Sequence, residues 1–499
     1  MNSRILASLI ETADETPERI ALAAPGETLT YRELIGKACE IADWLQQNRF
    51  SLAGVYYENS PEWVIIDLAC MIAGVCNVPL PAFFSKRQLK HIIHASGMEL
   101  IFSDDADRFR DLGIKFSTCR RIGSITMLCP ASDRKADSRR DVNYGKITFT
   151  SGTTSEPRGV CLSQEAIDNT TFALADRLSG IRLQCHLCVL PLSTLLENIA
   201  GIYVPLVMGK SVYLTPLDRL GFNGSSSLDA AKFIGQLNRI KPDSLILLPQ
   251  LLKVLVQAVD ANLPVEFSPA FLPVGGGKTS PHLIARARQL GWRVYEGYGL
   301  SECSSVVSLN LPPDDRIGSV GKPLPHLEVV IDNDEIRIRG SVFSGYLGEE
   351  ALAEEWFRTG DLGYFDDDGF LYVNGRLKDV MVSSYGRNIS PEWIESEFTR
   401  SPLFSQCVVF GDARPFCSAL LVPRNPAATP AEIREGVNKI NDDLPDYARI
   451  KRWIIADKPL SSHGNLLTAN GRPRRDKIAA VYQDRIDSLY DAQATETAI

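Results

Sequence analysis

Apolar runs rich in valine, isoleucine and leucine alternate with helical stretches through about residue 330. Leu187–Leu192, Ser211–Leu214, Ser244–Leu248 and Val294–Tyr298 are examples. Continuous apolar strands between helices predict parallel sheets covered on both faces. The most apolar stretch, Val64–Leu80, contains Asp67 and Asn77 and is short for a membrane span, so it predicts a buried helix followed by a strand. From about Glu328 the pattern changes to short alternating strands. Asp368-Gly369, set between Leu362–Phe365 and Phe370–Val373, predicts a hairpin. After Gly375-Arg376-Leu377-Lys378 a mixed pattern begins, with a helix from Pro391 to about Thr399 and a strand at Cys407–Phe410. The expected fold is α/β: a large N-terminal domain of helix-flanked sheets with a β-rich subdomain (residues 1–377), plus a small α+β C-terminal domain on a hinge (residues 378–499). The polar tail Asp491–Ile499 is expected to fray.

At 499 residues the chain exceeds one ordinary core, which agrees with two domains. Its 44% hydrophobic and 23% charged residues are those of a soluble protein with no integral membrane segment. A net charge of -8 gives no general attraction to nucleic acid or anionic membranes, so an anionic substrate needs a local cluster of cations. The N-terminus has no apolar core followed by a cleavage site, so no signal peptide is expected. The 11 cysteines are scattered singly apart from Cys185 and Cys188, which bracket His186. A zinc or redox role there needs partner ligands, and none stand nearby in the sequence, so these are read as core residues. The odd cysteine count fits a reducing cytoplasm.

The strongest local signal runs from Ile147 to Ser163. A β-prone run leads into a loop dense in hydroxyls. A second β-prone run, Val160–Leu162, leads out, and Ser163 is placed to cap the next helix. Hydroxyls at Thr150, Ser151, Thr153 and Thr154, with backbone N–H groups freed by Gly152, suit phosphate oxygens. Arg158 adds a planar cationic fork. The spacing is not that of a Walker loop, and a plain polar hairpin loop is the competing reading.

This segment resembles the signature of the adenylate-forming (AMP-binding) superfamily, and the chain looks closest to long-chain acyl-CoA synthetases. Further matches follow in family order. Pro273-Val-Gly-Gly-Gly-Lys278 resembles the glycine turn beside the adenine and acyl pocket, which includes Gly276 and Gly277. Tyr295-Glu-Gly-Tyr-Gly-Leu-Ser-Glu-Cys303 resembles the next motif and brings in Glu296, Tyr298, Gly299 and Glu302, with a helix expected to begin near Ser301. Glu335–Gly340 with Gly345-Tyr346, then Trp356–Gly363, follow, and Gly375-Arg376-Leu-Lys378-Asp379 closes the series. The resemblance implies that the loop closes over the β- and γ-phosphates of ATP and that Tyr298 lies against the adenine. It implies that Glu302 and Thr153 hold Mg²⁺, that Asp361 and Arg376 contact the ribose, and that the small domain turns about Lys378. Turn, capping acid and solvated lysine are the competing readings of Thr359–Asp361, Glu302 and Lys378.

Four positions depart from the family pattern. Ser155 and Arg158 replace the usual glycine and lysine of the loop. Arg472, in Leu467-Thr-Ala-Asn-Gly-Arg-Pro-Arg-Arg475, stands where the family has the lysine that bridges the acid and the α-phosphate. Thr194 replaces a common histidine in Leu190–Asn198, while Leu195 argues against an amino-acid substrate. The implied activity is ATP-dependent conversion of a carboxylic acid, such as a medium- or long-chain fatty acid, to acyl-AMP. The resemblance implies that Arg472, Thr153, Glu302 and Arg158 serve catalysis. The acyl group then passes to the thiol of CoA, or alternatively of an acyl carrier protein bearing phosphopantetheine. A degenerate nucleotide-binding protein is the reading from another class.

Overall fold

The computed structural model describes residues 3–490, except 111, 114–115, 131–143, 151–156, 224–226, 353, 378–380, 383–387, 462–465 and 469–470. The apolar stretch forms the helix Pro61–Ala73 and the strand Cys76–Pro79, as its pattern predicts. Ser60 caps the helix by accepting from the Trp63 N–H, Pro61 opens it, and Gly74 ends it at φ +70°. Trp63, Val64, Ile66, Leu68, Ala69 and Cys70 are completely buried, because this helix is enclosed on all sides. Large apolar side chains buried in this way contribute about 1.5–3 kcal/mol each.

The strand Cys76–Pro79 lies inside an eight-stranded sheet. The order is Gly345–Tyr346, Arg158–Leu162, Lys146–Thr150, Cys76–Pro79, Leu52–Tyr56, Leu100–Ser103, Ile125–Pro130, Phe116–Ile122. The four strands from Lys146–Thr150 to Leu100–Ser103 run parallel. Antiparallel pairs flank these four strands on both sides. A second sheet joins Cys185–Leu187, Ser211–Tyr213, Ile20–Ala24 and Glu27–Thr30. A third carries Leu272–Val274 and Val294–Tyr298 in parallel, followed by two short antiparallel strands.

Two predicted strands are corrected. The strand at Leu187–Leu192 stops at Leu187. Beyond it the Leu190 N–H donates to Glu197, the Leu192 N–H donates to Asn59, and the Asn59 amide donates to the Leu190 carbonyl. Side chains thus take the backbone groups a ladder would need. Ser244–Leu248 makes only isolated bridges, His186 to Ser244, Ser244 to Phe271 and Leu247 to Val274, which link the second and third sheets. The cysteines also need correction: Cys119 and Cys129, read as single, are joined by a disulfide across the hairpin of Phe116–Ile122 and Ile125–Pro130.

The β-rich subdomain is an antiparallel meander of Leu327–Asp332, Glu335–Gly340, Phe357–Phe365 and Leu371–Arg376, and it includes the predicted hairpin. Towards the C-terminus, Phe404–Phe410, Cys417–Pro423 and Ile450–Ile455 form a three-stranded sheet with the helices Pro391–Arg400, Pro430–Asp442 and Arg475–Ser488. The tail 491–499 lies outside the described residues. Among the described residues no helix is long and apolar enough to cross a membrane.

A buried polar knot ties these layers together. Lys146, at the start of the strand Lys146–Thr150, donates to Asp67 at 2.8 Å and to Asn198 and Tyr203. Asp67 also accepts from Tyr203 at 2.5 Å and from Asn198 at 2.9 Å. Lys146 and Asp67 are each 2% exposed. Removing one partner of a buried pair leaves an uncompensated charge and costs about 3–5 kcal/mol. We expect Asp67→Ala to lower stability by that amount in denaturant unfolding, and Asp67→Ala/Lys146→Met to lose less. A loss below about 1 kcal/mol in the single variant contradicts this account.

Candidate functional site

One cleft of about 1950 Å³ runs between the large domain and the C-terminal unit. Thr150, Arg158, Gly276, Gly277, Tyr298, Gly299, Glu302, Arg376 and Arg472 all line it, although they lie far apart in the sequence. Ser151, Gly152, Thr153, Thr154, Ser155 and Lys378 lie outside the described residues. The strands that bracket the loop are present as expected, Lys146–Thr150 paired antiparallel with Arg158–Leu162, and Ser163 caps the following helix through the Ala166 N–H.

Asp361 shows how the backbone positions a charged group. It sits within the strand Phe357–Phe365, where the partner strand slips register between Glu335 and Arg337. Gly360 takes φ +68°, its N–H donates to Glu335, and the Thr359 hydroxyl accepts from the Asp361 N–H. Thr359–Asp361 is therefore not a connecting turn. Asp361 is 3% exposed. Its carboxylate accepts from the Tyr298 hydroxyl at 2.5 Å and pairs with Arg376 at 2.8 Å. Burial pushes this carboxyl above the usual carboxylate range, and Arg376, Tyr298 and Arg472 pull it back. Glu302 acts on Arg376, so these groups share one electrostatic environment.

The glycine turn is built for close approach. Gly276 has φ +76°. Its carbonyl accepts two bonds from Arg472, from Nε at 3.2 Å and from a terminal nitrogen at 2.6 Å. Arg472 thus crosses from the C-terminal unit to the large domain. At Gly299 a Cβ would stand 1.6 Å from the Ser305 carbonyl oxygen, so no other residue fits. Behind the turn, the Glu296 carboxylate accepts from the Thr279 N–H at 3.3 Å. Burial raises its pKa to about 7, opposed by that bond and by Lys278.

The helix that the sequence leads one to expect from near Ser301 does not form at Glu302. Glu302 lies in the single 3₁₀ turn Ser301–Cys303, which ends as Ser304 and Ser305 take positive φ. One of its oxygens accepts from the Tyr346 hydroxyl at 2.8 Å. Arg158 is exposed, stacks on the Tyr346 ring at 3.6 Å and pairs with Glu349 at 2.7 Å. The Gly345-Tyr346 motif marked Tyr346 in the sequence; nothing marked Glu349.

Farther along the cleft the wall becomes apolar, with Leu174, Leu178, Leu183, Val204, Phe271 and Leu309. The seven-residue π-helix Glu197–Tyr203 runs beside it, and Thr194 and Leu195 line the approach. His186, Cys188 and Glu197 bring possible ligand atoms within 4.8 Å of one another, a proximity the sequence did not show. Protein bonds already engage His186 with Ser244 and Glu197, and Glu197 with the Leu190 N–H. Burial raises the Cys188 thiol well above its ordinary range, so it is not a ready thiolate.

The AMP-binding enzyme family matches residues 9–347, and the AMP-binding enzyme C-terminal domain matches residues 378–494. The chain belongs to this family, the adenylate-forming superfamily, and its class is that of AMP-forming acid–thiol ligases. A long-chain-fatty-acid–CoA ligase of Mycobacterium bovis is 26% identical over 87% of this chain and 86% of its own. A 2-succinylbenzoate–CoA ligase of Bacillus subtilis is 28% identical over 81% and 84%. Among solved structures, an anthranilate CoA ligase with anthranoyl-AMP shares the fold at TM-score 0.79, with 18% identity and 96% of each chain covered.

Glu296 yields a pH prediction. Its carboxyl rises from 4.5 unfolded to about 7 folded, so the folded state binds the proton more tightly. The stability this confers is present below pH 4.5, declines as pH rises through about 7, and is level above that. The loss amounts to about 3 kcal/mol. We expect Glu296→Gln to flatten the stability profile over this window; an unchanged slope in denaturant titrations refutes the assignment.

Proposed function

We propose that this chain activates a carboxylic acid with an apolar body, a medium- or long-chain fatty acid or a similar acid, as acyl-AMP and transfers it to the thiol of CoA. The observation that carries the reading is the two-part cleft. A charged end gathers Arg472, Tyr298, Asp361, Arg376 and Glu302, and the same cleft continues along apolar side chains. The long-chain-fatty-acid and succinylbenzoate ligases among the relatives support an acid–CoA reaction without singling out the acid.

In this reading Asp361 and Arg376 hold the ribose. Tyr298 lies against the adenine, with Gly276, Gly277 and Gly299 around it, while Glu296 stands behind the glycine turn and supports it. Thr150, Ser151, Gly152, Thr153, Thr154 and Arg158 surround the phosphates. Glu302 fits a magnesium site with Thr153, because its second carboxylate oxygen has no protein partner among the described residues. Magnesium, when bound, neutralises the phosphate oxygens. The acid's carboxylate attacks the α-phosphorus and pyrophosphate leaves. Two anions must meet, so Arg472 and Arg158 supply positive charge and orientation. The division at 377/378, with Lys378 as hinge, lets the small domain cover the mixed anhydride and exclude water. The thiolate then attacks the carbonyl and AMP departs. The cytoplasm, where ATP and CoA are available, is the proposed compartment.

Arg472→Ala should reduce acid-dependent ATP–pyrophosphate exchange about 100-fold. An exchange rate equal to the parent's overturns its role. Pyrophosphate release across a panel of carboxylic acids, with and without CoA, tests the function. Strong release with acids that have apolar chains, and thioester only with CoA, is expected. Thioester only on a carrier protein would replace CoA as acceptor, and no release with any acid would leave a nucleotide-binding protein.

A further inference from the structure

A chain of polar groups interrupts the apolar wall of the cleft. His186 and Ser244 line the cleft, yet they are only 3% and 2% exposed. Ser244 bridges on one side to His186 and on the other to Phe271 of that wall. Its backbone is engaged, the N–H donating to Cys185 and the carbonyl accepting from Leu187. Its hydroxyl lies 2.8 Å from His186 Nδ1, and His186 Nε2 lies 3.1 Å from Glu197 Oε1. The other Glu197 oxygen accepts from the Leu190 N–H. Gly201 of the π-helix leaves room for this chain. A Cβ there would stand 2.4 Å from Glu197 Oε1 and 2.9 Å from His186 Nε2.

The three side chains fix one another's hydrogens. A carboxylate only accepts, so the ring proton sits on Nε2 and faces Glu197. Nδ1 is then the acceptor, and the Ser244 hydroxyl donates its single proton to it. What Ser244 still offers is lone-pair capacity on Oγ, since His186 is its side-chain partner among the described residues. A buried acceptor in an apolar wall is satisfied by a donor on whatever fills the cleft. A hydrocarbon tail has no such donor, whereas a hydroxyl supplies one. A site that hydrogen-bonds a ligand hydroxyl also disfavours the analogue that lacks it.

We infer that Ser244 is a specificity-determining residue and that the acid this enzyme activates carries a hydroxyl on its otherwise apolar body, which donates to Ser244 Oγ. The inference rests on the proposed reaction, because it concerns the acid consumed there. It narrows that acid from a plain hydrocarbon chain to a hydroxylated one. Leu183, Val204 and Phe271, which cluster in the same wall, hold the apolar remainder. His186 and Glu197 are positioning residues: they set the direction in which the Ser244 hydroxyl points its proton.

The test measures pyrophosphate release by the full-length enzyme with straight-chain and aromatic acids. Each acid is compared with analogues that carry one hydroxyl, or one methoxy group, at successive positions along the body. We expect one hydroxy acid to exceed its unsubstituted and methoxy counterparts about ten-fold or more in kcat/KM. Ser244→Ala, shown by thermal melting to be folded, should erase that preference. Ser244→Thr, which keeps a hydroxyl, should retain most of it. Release with unsubstituted acids but no preference for any hydroxy acid overturns the inference and leaves the proposed reaction standing. An equal gain from methoxy, which can only accept, or a preference that survives in S244A, overturns it too. Should neither variant fold, the parent's own preference decides. Absence of release with every acid defeats the proposed reaction, and this inference with it.

Discussion

The ion pair between Lys146 and Asp67 is the contact on which the arrangement of the site depends. Lys146 begins the strand that leads into the proposed phosphate loop, Asp67 belongs to the enclosed helix Pro61–Ala73, and Asn198 and Tyr203 belong to the π-helix beside the apolar wall. A charge this deep is tolerated only where its partners satisfy it. Here they come from three separate elements, so the helix, the strand and the π-helix can be satisfied in only one relative placement. The strand that leads into the proposed phosphate loop and the apolar wall of the cleft share this anchor.

The same logic, with less complete compensation, governs the charged end of the cleft. Asp361 is almost as buried as Asp67, yet its partners, Tyr298 and Arg376, line the open cleft. A carboxylate held by groups that also face a ligand is pre-oriented and incompletely neutralised. Such groups bind polar ligands without first reorganising. Glu296, by contrast, is shut behind the glycine turn, where protonation is the cheaper way to be buried.

Much of the fold was legible because its signals are local. The apolar helix Pro61–Ala73, the cap at Ser163 and the hairpin at Asp368-Gly369 each follow from side chains within a few residues. The failures share a cause. Leu187–Leu192 carries a strand's pattern, but Asn59 and Glu197 claim its backbone groups from distant segments. Ser301 looks like a helix start, but the chain turns away after three residues into positive φ. Motif order singled out Tyr298, Asp361 and Arg376, which do touch. His186 with Ser244, Arg158 with Glu349, and the disulfide were invisible because each depends on tertiary proximity.

Arg472 has a chemical consequence beyond charge. A lysine at this position, in the proposed arrangement, would hold a primary amine beside an activated mixed anhydride, and any fraction that lost its proton would be acylated. A guanidinium stays protonated across physiological pH and is a poor nucleophile. With its fork fixed on the Gly276 carbonyl, Arg472 is, in that proposed arrangement, a cation that the mixed anhydride does not acylate.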